Sequence, residues 1–242
     1  MFGTPRQRVC QPAREIASPK FNYSKSTGTT QRCRCNTAET ETMRIYIARH
    51  AQSEWQLEPS ENWDTSLTAT GHEQARRLAS WLASDPCLAR GTRVEIASLY
   101  ASQFKRAQET ASYIATALKL AIVTHESLGE ADFHVATQLP QRDGPLSPHS
   151  PFTPSEKYSD FKAQADSALR VLVEQAEVSQ GAVLAVTHGG LIKTLLRRIT
   201  GTDAVCFRLY NACLNVIEWR RGRWHLVHLN LWDHLSVNMR TE

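Results

Sequence analysis

The run AVLAVTHGG at residues 182–190 decides the fold class, because it joins an uninterrupted apolar segment to a pair of glycines. A strand that is apolar on both faces is typical of a parallel sheet covered by helices on either side. The glycines predict that a helix begins at Gly189 or Gly190. His188 therefore stands where a buried strand ends and a helix begins.

From Met43 onward the sequence alternates predicted strands and helices. Short apolar runs predict strands, at residues 44–48, 94–100, 120–124 and 182–186. Apolar residues at helical spacing predict helices, at residues 71–84, 104–118 and 156–176. Two aromatic and β-branched runs predict a terminal hairpin, at residues 215–219 and 224–229. The predicted fold is α/β, a three-layer doubly wound α/β/α sandwich with a mostly parallel sheet and a C-terminal antiparallel hairpin.

Residues 134–155 contain five prolines. Proline does not sustain a helix or a central strand, so a long loop is predicted here. Because long ordered loops often carry function, we expect this loop to set substrate choice.

Residues 1–42 are predicted to form a disordered basic arm. They are rich in Ser, Thr, Arg and Gln, and they show neither strand nor helix periodicity. Two alternatives stay open: translation starts at Met43, or the arm is an organelle transit segment, which is typically rich in Arg and Ser and poor in acids. Residues 43–242 are predicted to form a single catalytic domain.

The formal net charge of +4 comes largely from the arm, and the remainder of the chain is close to neutral. A nucleic-acid-binding face normally needs clustered Lys and Arg, so nucleic acid is not expected as a partner. No stretch is long and apolar enough to span a membrane, and the first thirty residues lack the apolar core of a secretory signal. A cytoplasmic location is predicted, or an organelle if the arm is a transit segment; the sequence indicates no oligomeric state.

The six cysteines show no repeating spacing and are predicted to be reduced thiols. Cys33 and Cys35 are separated by one residue, as in some metal sites. No matching Cys or His pair follows them at the spacing of a zinc finger, which argues against such a site.

Polar residues follow the carboxyl ends of four predicted strands. Listed along the chain, they are Arg49 and His50, then Ser102 and Arg106, then Glu130, then His188. In an open α/β sheet, ligands bind outside the carboxyl ends of the strands. These side chains are therefore expected to meet in one pocket.

This set of residue types fits phosphoryl transfer. Arg49 and Arg106 offer guanidinium forks for phosphate oxygens. A neutral His50 can attack phosphorus and carry the phosphoryl group. His188 would add positive charge in the transition state, and backbone amides at the helix start, Gly189 included, favour an anion. The arginines and histidines would supply the charge that a metal ion otherwise supplies, so no metal and no cofactor are expected.

A carboxyl group beside phosphate is held protonated more easily than in water, which makes Glu130 the candidate general acid. Asp132 lies two residues away and competes for this role. The sequence leaves the choice between them open.

Six segments together resemble the histidine phosphatase superfamily, which includes phosphoglycerate mutases and many small phosphatases. The resembling segments span residues 43–235; they are RIYIARHAQSEWQ at 44–56, DTSLT at 64–68, ASQFKRAQETA at 101–111, LGE at 128–130, THGG at 187–190 and YNA at 210–212. By this resemblance the catalytic set would be Arg49, His50, Arg106, Glu130 and His188, with His50 phosphorylated. Ser53, Gln56, Ser102 and Gly189 would join the two arginines in binding substrate.

Three residues depart from the pattern of that family. Ala51 replaces a usual glycine, Gln56 a frequent asparagine, and His134 a frequent glycine. These departures bear on the substrate and leave the type of reaction intact.

The predicted function is hydrolysis of a small phosphorylated metabolite through a phosphohistidine. Three alternatives stay open: a phosphotransferase of the phosphoglycerate mutase type, a phosphohistidine protein phosphatase, and a catalytically silent sensor of a phosphorylated ligand.

Overall fold

A computed structural model describes residues 42–84, 95–148, 151–179 and 181–242. Within them, six strands form one sheet. The strands are β1 (Met43–Arg49), β2 (Ile96–Ala101), β3 (Ile122–Thr124), β4 (Ala182–Thr187), β5 (Leu214–Arg220) and β6 (Arg223–Leu231). The α-helices are α1 (Glu54–Leu57), α2 (Ala69–Ser84), α3 (Lys105–Leu118), α4 (Glu156–Ser179) and α5 (Gly189–Thr200).

The strand order across the sheet is β3-β2-β4-β1-β5-β6. The first four strands are parallel, and β5 turns antiparallel to β1 before β6 pairs back on it. The two central strands of this order are β4 and β1, and His188 and His50 directly follow them. The predicted α/β sandwich with a terminal hairpin is confirmed.

Alternate residues of the central strands pack into two separate cores. Ile45 of β1 and Val183 of β4 face the core formed with α4 and α5. Tyr46 and Leu184 face the core formed with α2 and α3. Helices therefore cover both faces of the sheet, as the apolar sequence of β4 predicts.

The boundaries of several elements differ from the predicted ones. Helix α2 begins at Ala69, where the Thr68 hydroxyl accepts a hydrogen bond from the amide of Gly71 at 2.9 Å. The predicted loop at 134–155 contains a 3₁₀ helix, Val135–Gln138. Val135 and Leu139 of this segment are buried, so apolar anchors tie down the start of the loop.

Some predictions fall outside the described residues. The arm at 1–42 does so except for Thr42, and so do Cys33 and Cys35. None of the helices in the described ranges is long and apolar enough to cross a membrane. The domain boundary at Met43 and the cellular location stay predictions.

Candidate active site

A pocket of about 530 Å³ opens at the carboxyl ends of the central strands. Seven of the nine predicted site residues line it: Arg49, His50, Ser53, Gln56, Arg106, Glu130 and Gly189. The other two, Ser102 and His188, are fully buried behind His50. The predicted residues therefore lie together at the carboxyl ends of the strands, although Ser102 and His188 do not line the pocket.

His50 is held by the backbone on both sides. Its amide donates to the carbonyl of Thr187 at 2.8 Å, and its Nδ1 lies 2.7 Å from the carbonyl oxygen of Ala51. A carbonyl only accepts, so Nδ1 carries the proton and Nε2 keeps its lone pair. Burial lowers the pKa of His50 well below its ordinary value, and Arg49 and Arg106 lower it further. The ring is therefore neutral at physiological pH.

The ring of His188 lies 5.1 Å from that of His50, measured between centroids. Its Nε2 is 2.8 Å from the Ser102 hydroxyl. Its Nδ1 is buried and finds no hydrogen-bond partner among the described residues. Burial lowers the pKa of His188 well below its ordinary value, with further lowering by His50 and the two arginines. A buried nitrogen of this kind is available to an added ligand atom.

The two arginines are anchored by carbonyl groups. Arg49 donates through Nη1 to the carbonyl of Leu209 at 2.6 Å, while its buried Nε has no partner in the described part of the chain. Arg106 donates to the carbonyl of Trp63 at 2.7 Å. The guanidinium of Arg106 also lies 5.0 Å from the ring centroid of Phe104. Both cations are thus fixed in place and keep donors for an anion.

Glu130 sits over the start of α5. Its carboxylate accepts hydrogen bonds from the amides of Gly190 at 2.9 Å and Leu191 at 3.2 Å. Burial raises the pKa of Glu130, although the amides of Gly190 and Ala131 and the two arginines act against the rise. Asp132 also lines the pocket, but its side chain is exposed. The net rise in its pKa favours the protonated form of Glu130 relative to a carboxyl group in water.

Ser53 and Gln56 line the pocket but are engaged with other protein groups. Ser53 precedes α1, and its amide donates to the Gln56 side chain at 3.0 Å. The Gln56 amide group exchanges hydrogen bonds with Asn211 and donates to the carbonyl of Glu242. Gln56 thus ties α1 to the chain end, so its predicted contact with phosphate stays a prediction.

The replacement of glycine by alanine at residue 51 is accommodated. Among the described residues with positive φ, which glycine favours, Ala51 does not appear. Its methyl group is buried in the core beneath α2 and α3, and its amide donates to the Thr110 hydroxyl at 3.0 Å. His134, a second departure, is exposed at the pocket.

Sequence reasoning missed two basic residues in the pocket wall, Lys193 and Arg197 of α5. The sequence signal that points to them is their spacing along the helix that begins after His188. Counting turns from the predicted helix start puts them on one helical face, with Lys193 one turn beyond the glycines.

A sequence model of the histidine phosphatase superfamily (branch 1) matches residues 45–231. The chain belongs to the histidine phosphatase superfamily. The matched region contains all nine predicted site residues of this histidine phosphatase, and it confirms the family that the motifs predict.

Relatives of this histidine phosphatase carry the names of phosphatases and of mutases. The uncharacterized phosphatase PhoE of Bacillus subtilis is 30% identical over 200 residues, which cover 79% of this chain and 96% of that protein. The probable phosphoglycerate mutase GpmB of an Enterobacter species is 26% identical, with 75% and 87% covered. The metal-independent phosphoserine phosphatase of Arabidopsis thaliana is 26% identical, with 82% and 85% covered.

Two solved structures with the same fold match this chain over nearly their whole length. YhfR of Bacillus stearothermophilus superposes with a TM-score of 0.59 at 23% identity, covering 79% of this chain and 98% of that one. Phosphoserine phosphatase of Entamoeba histolytica, solved in complex with 3-phosphoglyceric acid, has a TM-score of 0.60 at 21% identity, with 80% and 99% covered. At these identities the likeness establishes the fold.

Proposed function

We propose that this histidine phosphatase hydrolyses small phosphomonoesters through a covalent phosphohistidine on His50. The observation that carries the proposal is the hydrogen bond between His50 Nδ1 and the Ala51 carbonyl, which leaves the lone pair on Nε2. This neutral nucleophile lies in a pocket with two arginines and a carboxyl group whose pKa is raised. The pocket therefore brings together the groups that phosphoryl transfer needs: a neutral imidazole, two guanidinium groups and a carboxyl group whose pKa is raised.

In the first step, the Nε2 lone pair attacks phosphorus and the bond from phosphorus to the ester oxygen breaks. The electron pair of that bond goes to the leaving oxygen, which takes the proton of Glu130. In the second step, the Glu130 carboxylate takes a proton from water while the water oxygen attacks phosphorus. The P–N bond then breaks and its electron pair returns to Nε2, so the enzyme is restored with Glu130 protonated.

Charge stabilisation falls to Arg49, Arg106 and His188. The free Nε of Arg49 is a donor without a described partner, and a phosphate oxygen would satisfy it. His188 would act from behind His50, since the two rings are 5.1 Å apart. A phosphate dianion beside the rings raises the pKa values of both histidines, which favours a cationic His188 during transfer. Fixed donors in a buried site stabilise developing charge at little reorganisation cost.

Glu130 is the proposed acid in preference to Asp132. Burial keeps Glu130 protonated to higher pH, and the Gly190 amide holds its Oε2 at 2.9 Å. Asp132, in contrast, has an exposed side chain.

Gly190→Ala is expected to lower kcat by about 10²-fold, which is typical of a misplaced catalytic group. A Cβ atom at this position would lie 2.3 Å from Oε1 and 3.0 Å from Cδ of Glu130, so the carboxyl group must move. Steady-state kinetics of the variant measure the loss. Gly144→Ala, in the proline-rich loop and away from Glu130, is the control.

If the glycine acts through Glu130, the loss from Gly190→Ala shrinks sharply when Glu130 is already glutamine. Equal losses in both backgrounds would show that Gly190 matters for another reason.

The proposed function is tested by measuring free phosphate from p-nitrophenyl phosphate and from 3-phosphoglycerate, each with and without EDTA. We expect equal rates with the chelator, because protein cations supply the positive charge. Among the described residues, no group of three or more His, Cys, Asp or Glu side chains is placed to hold a metal ion. From 3-phosphoglycerate we expect phosphate and glycerate, since the exposed Glu61 and Asp132 line a pocket that water reaches.

A metal requirement, mutase activity and a silent sensor would each give a different result in this experiment. Complete loss of activity in EDTA would refute the metal-free mechanism. Formation of 2-phosphoglycerate without phosphate release would identify a mutase, the activity named for some relatives. Binding of phosphate esters without turnover would identify a silent sensor.

A further inference from the structure

The pocket extends beyond the catalytic residues along α5, where Lys193 and Arg197 line its wall. They are four residues apart and lie on one helical face. Side chains on a helix lean toward its N-terminus. Both cations therefore lean toward Gly189, where α5 begins beside Arg49.

The spacing puts Lys193 at a suitable distance from the catalytic groups to bind a second group on the same small molecule. With a rise of 1.5 Å per residue, the Cα atom of Lys193 lies about 6 Å along the helix axis from that of Gly189. A group that Lys193 binds would thus be a few bonds from the phosphoryl group. This separation matches the size of the part of a small metabolite that carries no phosphate.

Lys193 and Arg197 have charge and hydrogen-bond donors that other protein groups do not fully use. No carboxylate within the described ranges forms an ion pair with either one. Arg197 is 3% exposed, donates through Nε to the carbonyl of Val205, and keeps a buried Nη1 with no hydrogen-bond partner among the described residues. Asp203, the acidic residue next along the chain, is bound by Tyr158 and Lys162.

The surroundings of Lys193 favour an anion as its partner. The ammonium group is partly buried, and burial together with the charge of Arg49 lowers its pKa. A desolvated cation with a cationic neighbour gains more from an added negative charge than an exposed lysine does.

We propose that Lys193 and Arg197 form a second anion subsite that binds a carboxylate on the leaving part of the substrate. This inference rests on the proposed phosphatase function and narrows its substrates to phosphorylated carboxylic acids. One ammonium and one free guanidinium nitrogen match the two oxygens of a carboxylate. Lys193 is then the residue that sets specificity, while Arg49 and Arg106 bind the phosphoryl group.

Two substrates that differ in a single group test the subsite. 3-Phosphoglycerate and glycerol phosphate share a carbon skeleton, but the first has a carboxylate where the second has a hydroxymethyl group. We expect the native enzyme to favour 3-phosphoglycerate in kcat/KM. Lys193→Met should reduce this preference by about 10- to 100-fold, mainly through KM, as loss of a charge-assisted hydrogen bond does.

Two further variants serve as controls. Lys157→Met removes an exposed lysine of α4 that does not line the pocket, and it should keep the native preference. Lys193→Arg keeps the charge and should retain most of the preference. Thermal unfolding of each variant checks that the fold is intact.

Other outcomes separate the subsite from the proposed function. If the native enzyme shows no preference, the subsite is refuted. It is also refuted if Lys193→Met lowers both activities equally and shifts the pH profile, and Lys193 then acts on neighbouring Glu130 instead. If no phosphate is released from either compound, the phosphatase proposal fails. The subsite is then judged by calorimetric binding of the two compounds in a His50→Ala background, with and without Lys193→Met: selective loss of 3-phosphoglycerate binding supports it and equal binding overturns it.

Discussion

His50→Ala is expected to reduce phosphate release by at least about 10⁴-fold, the scale seen when a covalent nucleophile is removed. Without Nε2, the arginines and Glu130 still bind and protonate the ester, but no group on the protein accepts the phosphoryl group. The ring bonds to the carbonyl of its own neighbour, Ala51, and the backbone bond to Thr187 does not need the side chain. The variant should therefore fold.

The same variant tests the intermediate directly. Native enzyme quenched during turnover should carry phosphate that is stable in alkali and lost in acid, as expected for a phosphohistidine, and His50→Ala should carry none. His225→Ala, in strand β6 and outside the pocket, should label like the native enzyme. Labelling that persists in His50→Ala would move the nucleophile elsewhere, with His188 as the next candidate.

Glu130→Gln is expected to lower kcat by about 10²- to 10⁴-fold on alkyl phosphates, the usual contribution of a general acid. Glutamine keeps the shape of the side chain but gives up no proton to the leaving oxygen. Aryl phosphates, whose leaving groups are weaker bases, need less protonation and should lose less. The dependence of kcat on leaving-group pKa is therefore steeper in the variant.

The pH profile gives a second measurement of the same role. Burial raises the pKa of Glu130, so the reactive protonated form persists to higher pH and is lost as pH rises through the raised value. Native kcat should fall along that limb, and the fall should be absent in Glu130→Gln. Asp132→Asn is the matched comparison; a loss as large as that of Glu130→Gln would assign the acid to Asp132.

The sequence predicts most residues of the candidate site because they stand at the end of a strand or at the start of a helix; Glu130 comes later, after β3 and a short 3₁₀ helix, Glu126–Leu128. His50 and His188 end apolar runs, and Glu130 follows a third run, so the rule for parallel sheets is enough to group them. The strand order is not accessible in this way, because many crossovers satisfy the same pattern. Placing β4 between β1 and β2 depends on contacts distant in sequence.

Lys193 and Gln56 show where sequence reasoning stops. Its spacing places Lys193 on the helical face of Gly189, but the packing of α5 is needed to show that this side chain lines the pocket. Gln56 looks like a phosphate ligand, yet its amide is bound by Asn211 and Glu242 from the far end of the chain. Local patterns do not contain either contact.

The pairing of β1 with β4 determines when unfolding disrupts the candidate active site. Arg49 lies opposite Thr187 in this parallel pair, so the next residues, His50 and His188, are neighbours across the strands. Their ring separation of 5.1 Å is close to the usual interstrand distance of about 4.8 Å. The ring separation therefore depends on the pairing of the two central strands. Separating central strands requires cooperative unfolding. Partial melting at the edges would leave His50 and His188 in register, and we expect any activity of this site to disappear together with the fold.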